Sequence, residues 1–124
     1  MKDERELLRG NTPTLVLAVL RDSPRHGYGI AREINRRTNN SLQFKQGTLY
    51  PALHALEGEG LIAGVWETEA TERPRRVYTI TEEGLAELAR RSEVWGQFVE
   101  AMRQVIGIPD DAASKEPVLD RRLA

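Results

Sequence analysis

The sequence contains no cysteine. That excludes a disulfide framework, a thiolate metal site and a thiol nucleophile. Histidine is nearly as scarce, with His26 and His54 the two copies. A metal site built on them would need other ligands that the sequence does not supply, so no metal is expected. There is no glycine-rich phosphate loop, and no acid pair stands with an evident partner base. Glu57/Glu59 and Glu82/Glu83 read as helix-end and capping charges, so neither an enzyme nor a cofactor is expected. The longest apolar run, Leu15 to Leu20, is six residues, far short of the roughly 20 that span a bilayer, and no membrane partner is expected. The opening MKDERELLRG mixes both charge signs and lacks an apolar segment, so no secretory signal is read and a cytoplasmic location is expected. No internal repeat or low-complexity tract is present.

What remains is an ordinary globular composition: 124 residues, 40% apolar and 30% charged, one domain's worth with a modest core. The net charge of −1 hides an uneven distribution. Residues 21–55 carry a balance of +4, residues 56–72 a balance of −5, and Arg73, Arg75 and Arg76 follow as a basic triplet. A basic half with a basic triplet downstream suits a phosphate-facing surface; solvated helix faces would account for the same charges.

Asn11-Thr12-Pro13 reads as a helix start, with Asn11 or Thr12 as cap and Pro13 in the first turn. The helix it opens is largely buried and ends near Asp22-Ser23-Pro24. A second helix is expected over 26–38, with Tyr28, Ile30, Ala31 and Ile34 inward and Arg32, Arg36 and Arg37 elsewhere. Asn39-Asn40-Ser41 is a turn. A third helix is expected over 46–59. Two strands follow, over 61–68 and 76–80, joined by a polar turn as a β-hairpin, with Trp66 packed under it. Thr81 caps a long helix running to Ile106 and stopped by Gly107-Ile108-Pro109. The order predicts a mainly α chain, a winged helix-turn-helix with a β-hairpin wing. Residues 1–80 form the winged domain, 81–107 a C-terminal dimerisation helix and 108–124 a flexible tail.

The third helix, in GTLYPALHALEGEGL, carries Leu49, Leu53 and Leu56 on one face. Its other face holds Gly47, Tyr50 and His54 with little charge. Such a face suits entry into the major groove of double-stranded DNA. Gly47 permits close approach, the Thr48 and Tyr50 hydroxyls suit phosphate oxygens, and Gln46 and His54 suit base edges. Lys45 joins them at the helix start, and Arg73, Arg75 and Arg76 on the wing side. Pro51 falls in the early turns, where a missing donor costs least. Each residue singly also fits a solvated surface, and the Tyr50 ring could pack on the wing.

Three segments, HGYGIAREI (26–34), GTLYPALHALEGEGLI (47–62) and RRVYTITEEGLAEL (75–88), resemble the signature blocks of PadR-like transcriptional regulators. The resemblance covers residues 7–106. It implies a winged-helix DNA-binding domain, a dimerisation helix and a homodimer that represses transcription at a palindromic operator. The single C-terminal helix resembles the smaller branch of that family, which includes multidrug-responsive repressors. Thr48 and Tyr50 match positions near DNA phosphates, and Arg75 and Arg76 match the basic start of the second wing strand. The chain departs from the pattern in its acidic wing, with Glu67, Glu69 and Glu72, and in His26, where an aromatic is common.

In the long helix Leu85, Leu88, Ser92, Trp95, Val99, Met102 and Ile106 follow a heptad seam. Val94, Phe98, Ala101 and Val105 form a second stripe. Two stripes need two neighbours: the first helix, through Leu7 and Leu8, and a second copy of the chain. Trp95 beside small Ser92 and Gly96 is either interface core or one wall of a site for a planar hydrophobic small molecule, lined by Leu8, Trp95, Phe98 and Val99. The resemblance to multidrug-binding relatives implies the latter. A winged-helix protein-interaction module without DNA binding is the alternative reading of the whole chain, favoured by the acidic wing.

Overall fold

The structure, a computed structural model, describes residues 2–67 and 74–107. The elements run α1 (Lys2–Asp22), β1 (Arg25–His26), α2 (Gly27–Arg37), α3 (Gln46–Gly58), β2 (Ile62–Glu67), β3 (Arg75–Ile80) and α4 (Glu82–Ile106). They fall into two compact units, residues 1–90 and 91–124. Glu69, Glu72 and Arg73 of the wing, the tail from residue 108 and the Leu7 side chain lie outside the described residues.

Asn11 and Thr12 do not cap a helix start. α1 begins at Lys2 and holds Pro13 in its interior. Pro13 has no N–H for the carbonyl one turn back. The good helix formers of KDERELLR outweigh that loss. Thr12, buried, donates its hydroxyl back to the Leu8 carbonyl at 2.7 Å, a bond that competes with capping.

The first unit's core joins Val16, Leu17, Val19 and Leu20 of α1 to Ile30, Ala31 and Ile34 of α2 and Leu49, Leu53 and Leu56 of α3. Phe44, Ile62, Tyr78 and Leu88 complete it, with Leu8 packed against it. Each buried Leu or Ile contributes about 1.5–3 kcal/mol. Tyr28, expected inward, is instead exposed.

Between α2 and α3 the turn at Asn39 and Asn40 forms as expected, both at positive φ (52° and 63°), a conformation asparagine tolerates. Asn35 holds the rest of the connection. Its Oδ1 accepts from the Phe44 N–H at 2.7 Å and its Nδ2 donates to the Phe44 carbonyl at 3.0 Å. α3 starts at Gln46 as expected, which makes Pro51 its sixth residue, past the first-turn donors that lack an internal partner, so its missing N–H costs an interior bond to the Gly47 carbonyl.

The wing is a three-stranded antiparallel sheet in the order β1-β3-β2, not a simple hairpin. β3 is central, pairing Gly64 with Tyr78 and Trp66 with Arg76 on one side, and Arg25 with Tyr78 on the other. β1 is two residues long, too short for any periodicity to reveal.

α3 ends in a Schellman motif. Gly60 at φ +77° lets its N–H reach the Glu57 carbonyl and the Leu61 N–H the Leu56 carbonyl, both at 3.0 Å. Thr81 ties this corner to α4. Its hydroxyl donates to the Gly60 carbonyl at 2.8 Å and accepts from the Gly84 N–H at 3.0 Å, the expected helix cap. α4 stops at Gly107, φ +87°, whose N–H reaches the Arg103 carbonyl at 2.8 Å.

In the second unit Val94, Trp95, Phe98, Val99, Met102, Val105 and Ile106 are exposed along α4. The Trp95 and Phe98 rings stack, with centroids 5.6 Å apart and planes 14° apart.

Candidate nucleic-acid interface

α3 presents two faces. Leu49, Leu53 and Leu56 are buried, while Gly47, Tyr50 and His54, at spacings of three and four, are exposed. Lys45 is its N-cap in extended conformation and is exposed. Gln46 and Thr48 are half-buried in the first turn. Among the described residues no side chain caps that turn and no acid stands in it; the same is true of α2. Two helix starts thus keep amide donors and a positive dipole end uncompensated, which suits an anion.

Tyr50 does not reach its place by packing on the wing alone. Its ring lies against Gly27, where an added Cβ would stand 2.8 Å from the Tyr50 hydroxyl oxygen. Gly27 at the start of α2 therefore makes room for the phenol, which remains 48% exposed. Tyr28, 61% exposed, carries the Arg32 guanidinium 5.5 Å over its ring. Tyr28, Tyr50, Trp66, Arg75, Arg76 and Tyr78 border an open cleft of about 330 Å³ between α2, α3 and the wing.

The cations differ in how free they are. Arg36 and Arg37 both grip Glu33, at 2.7 and 2.8 Å, and Arg25 approaches it at 3.9 Å. The Arg36 guanidinium, then that of Arg37, holds the Glu33 carboxyl at about 2, well below the usual carboxylate range. Arg37 also reaches Asp22, lowering its carboxyl. Arg36 and Arg37 of α2 are thus engaged on carboxylates within their own unit, whereas Arg32 lies over the Tyr28 ring. Arg75 is half exposed, with Glu67 at 3.9 Å. Glu67 turns its carboxylate to the His26 ring Nε2 at 2.9 Å. Arg76 is paired with Glu57 of α3. Its guanidinium lies 5.4 Å over the Trp66 ring and 5.9 Å over that of Tyr78. Trp66 is not packed under the wing as expected; it is 58% exposed, because its cross-strand partner is Arg76 rather than an apolar residue.

The residues named from sequence therefore fall into three groups. Lys45, Gln46, Gly47, Thr48, Tyr50 and His54 share α3 and its N-cap. Arg75 and Arg76 stand at the start of β3, one loosely held and one engaged. Leu8 is partly buried against the core of the first unit, while Trp95, Phe98 and Val99 stand on the second. Sequence reading passed over the Arg76–Glu57 pair and the Asn35 clamp. Both join residues in different elements, and no local pattern marks them. Among the described residues no cluster could hold a metal ion, and no helix is long and apolar enough to cross a membrane.

A three-helix core, with the third helix half free and an antiparallel wing behind it, defines a winged helix-turn-helix protein. The PadR-like family of transcriptional regulators matches residues 16–90. An uncharacterized protein of Lysinibacillus sphaericus is 33% identical over 95 residues, covering 77% of this chain and 87% of that one. A transcriptional regulator of Mycobacterium tuberculosis is 34% identical over 104 residues, covering 83% and 90%. A transcriptional regulator from Clostridium thermocellum superposes with a TM-score of 0.73 at 28% identity, over 80% of this chain and 93% of that one. Bacillus subtilis PadR, solved in complex with operator DNA, superposes with a TM-score of 0.58 at 27% identity, over 63% of this chain and 44% of that one. The chain belongs to the PadR-like family of transcriptional regulators.

Proposed function

We propose that the protein is a homodimeric repressor that binds a palindromic operator, with α3 as its recognition helix. The observation that carries the reading is the split of α3 into a leucine face in the core and an exposed face of Gly47, Tyr50 and His54. The uncapped, acid-free start of the helix beside Lys45 supports phosphate contact there. The superposition on a PadR bound to operator DNA supports it further. The dimer rests on α4. Its exposed Trp95, Val99, Met102 and Ile106 lie at heptad spacing and form an apolar stripe that a second copy would cover. A two-fold pair then holds two recognition helices for two half-sites.

Lys45, Gln46, Gly47, Thr48, Tyr50 and His54 are the direct contacts in this reading, with Arg75 on the backbone. Selection of bound duplex from random sequence tests it. A symmetric site should emerge, its affinity should fall steeply with salt, and Tyr50→Ala should weaken it. Recovery of no preferred sequence would count against the reading.

Release of DNA by a planar aromatic ligand at the dimer seam is part of the proposal. The stacked, exposed Trp95 and Phe98 rings support it. Ligand there would change the distance between recognition helices. Flat cationic compounds should quench tryptophan emission and lower operator affinity together.

One observation favours a second reading, a protein-interaction module. Glu57 and Glu67 stand against Arg76 and Arg75 of β3 and offset their charge. Equal affinity for the chain's own promoter and for random duplex would favour that module.

A further inference from the structure

Arg76 occupies four places at once. It faces Trp66 across the β2–β3 ladder. Its guanidinium covers the rings of Trp66 and Tyr78 and ends on the Glu57 carboxylate in the last turn of α3. Its path crosses Gly64, where a Cβ would stand 2.6 Å from the Arg76 Nε. A planar fork that stacks and pairs at once is a property of arginine and not of lysine. Glu57 is the acid of this pair although it sits at the carboxyl end of a helix, where the dipole disfavours a negative charge. Its cation offsets that cost.

We propose that Arg76 is a positioning residue, a latch that fixes the wing to the recognition helix through Glu57, and not a phosphate contact. The inference rests on the DNA-binding reading above. It assigns the backbone contact at this end of the wing to Arg75 alone among the described arginines. Specific recognition needs α3 and the wing to meet the duplex in one fixed relation, and the latch sets that relation by joining the two directly.

The two roles predict opposite signs for Glu57→Gln. If Arg76 bound phosphate, removing the acid would free the guanidinium and tighten binding. As a latch, Glu57→Gln loosens the wing and weakens operator binding, by roughly tenfold, the scale of couplings between packed groups. Affinity for random duplex stays near wild type, whereas a variant that merely unfolded would lose both in parallel. Arg76→Gln behaves like Glu57→Gln and leaves the salt slope of binding unchanged, whereas loss of a phosphate contact lowers it by about 0.9. Arg76→Lys fails to rescue.

A Trp95→Phe background leaves Trp66 as the reporter. There, Glu57→Gln, Arg76→Gln and Gly64→Ala shift Trp66 emission alike in the absence of DNA. Tighter or unchanged operator binding by Glu57→Gln, or rescue by Arg76→Lys, overturns the latch while the wild type still selects its operator. A wild type that selects no sequence overturns the DNA-binding reading itself, and the latch's role with it.

Discussion

Gly84 and Leu61 are in backbone contact so close that a Cβ on Gly84 would lie 2.1 Å from the Leu61 carbonyl oxygen. The Ile80 side chain stands 2.7 Å from the same point. A carbonyl in a strand corner cannot swing aside as a long side chain can. Gly84→Ala should therefore destabilise the first unit despite alanine's better helix propensity. The expected loss is at least about 2 kcal/mol, from overpacking. Urea unfolding of wild type and variant measures it, and a stabilised variant would show that α4 docks differently.

Asn35 supplies both a donor and an acceptor to the backbone of Phe44. Asn35→Ala leaves two partly buried backbone groups without their partners. A cost of about 1–3 kcal/mol is expected. Because the clamp orders the connection into α3, amide exchange near residue 44 should quicken before that of the core. Unchanged exchange there would remove the clamp's role.

Glu33 gives a pH signature. Its carboxyl sits at about 2 against an ordinary 4.5, chiefly through Arg36 and then Arg37. A depressed carboxyl stabilises the fold fully above the ordinary value, and that contribution fades as pH falls toward the depressed one. The melting-temperature gap between wild type and Glu33→Gln should be largest near neutrality. It should narrow below about pH 4.5 and close near pH 2. A gap independent of pH would mean that the three arginines do not act through the charge of Glu33.

Arg75 is the more loosely held of the two β3 arginines, half exposed with Glu67 at 3.9 Å. Arg75→Ala should weaken binding to operator and random duplex alike and lower the salt slope by about 0.9, the mark of one phosphate contact. Titrations at several salt concentrations read both numbers. An unchanged slope would take Arg75 off the phosphate backbone.

Val99 lies within the exposed stripe of α4. Val99→Glu places a charge where a second copy would have to desolvate it. Light scattering should then report a monomer, and half-site cooperativity on DNA should vanish. A dimer that survives the substitution would move the seam to another face.

Much of this fold is legible in the sequence, because the relevant forces act within one or two turns of backbone. The spacing of Leu49, Leu53 and Leu56 marks a helix with one buried face, and Thr81 marks a helix start. Both stand in the structure. The same local logic misjudged Asn11-Thr12-Pro13, where helix formers upstream outweighed a capping pattern, and Tyr28, whose spacing is inward but whose surroundings are open.

The remaining features depend on distance in space rather than along the chain. β1 exists because β3 has a free edge at Tyr78 and Val77. Arg76 meets an acid 19 residues away, and Gly27 is small because Tyr50 arrives from another helix. The sequence by itself determined α2, α3 and α4, the strands β2 and β3 and the leucine face of α3, since periodicity and capping are local. Tertiary structure alone decided that Arg76 is spent on Glu57 and that Arg37 also reaches Asp22, since an ion pair between distant residues forms only where the fold brings the two charges within a few ångströms.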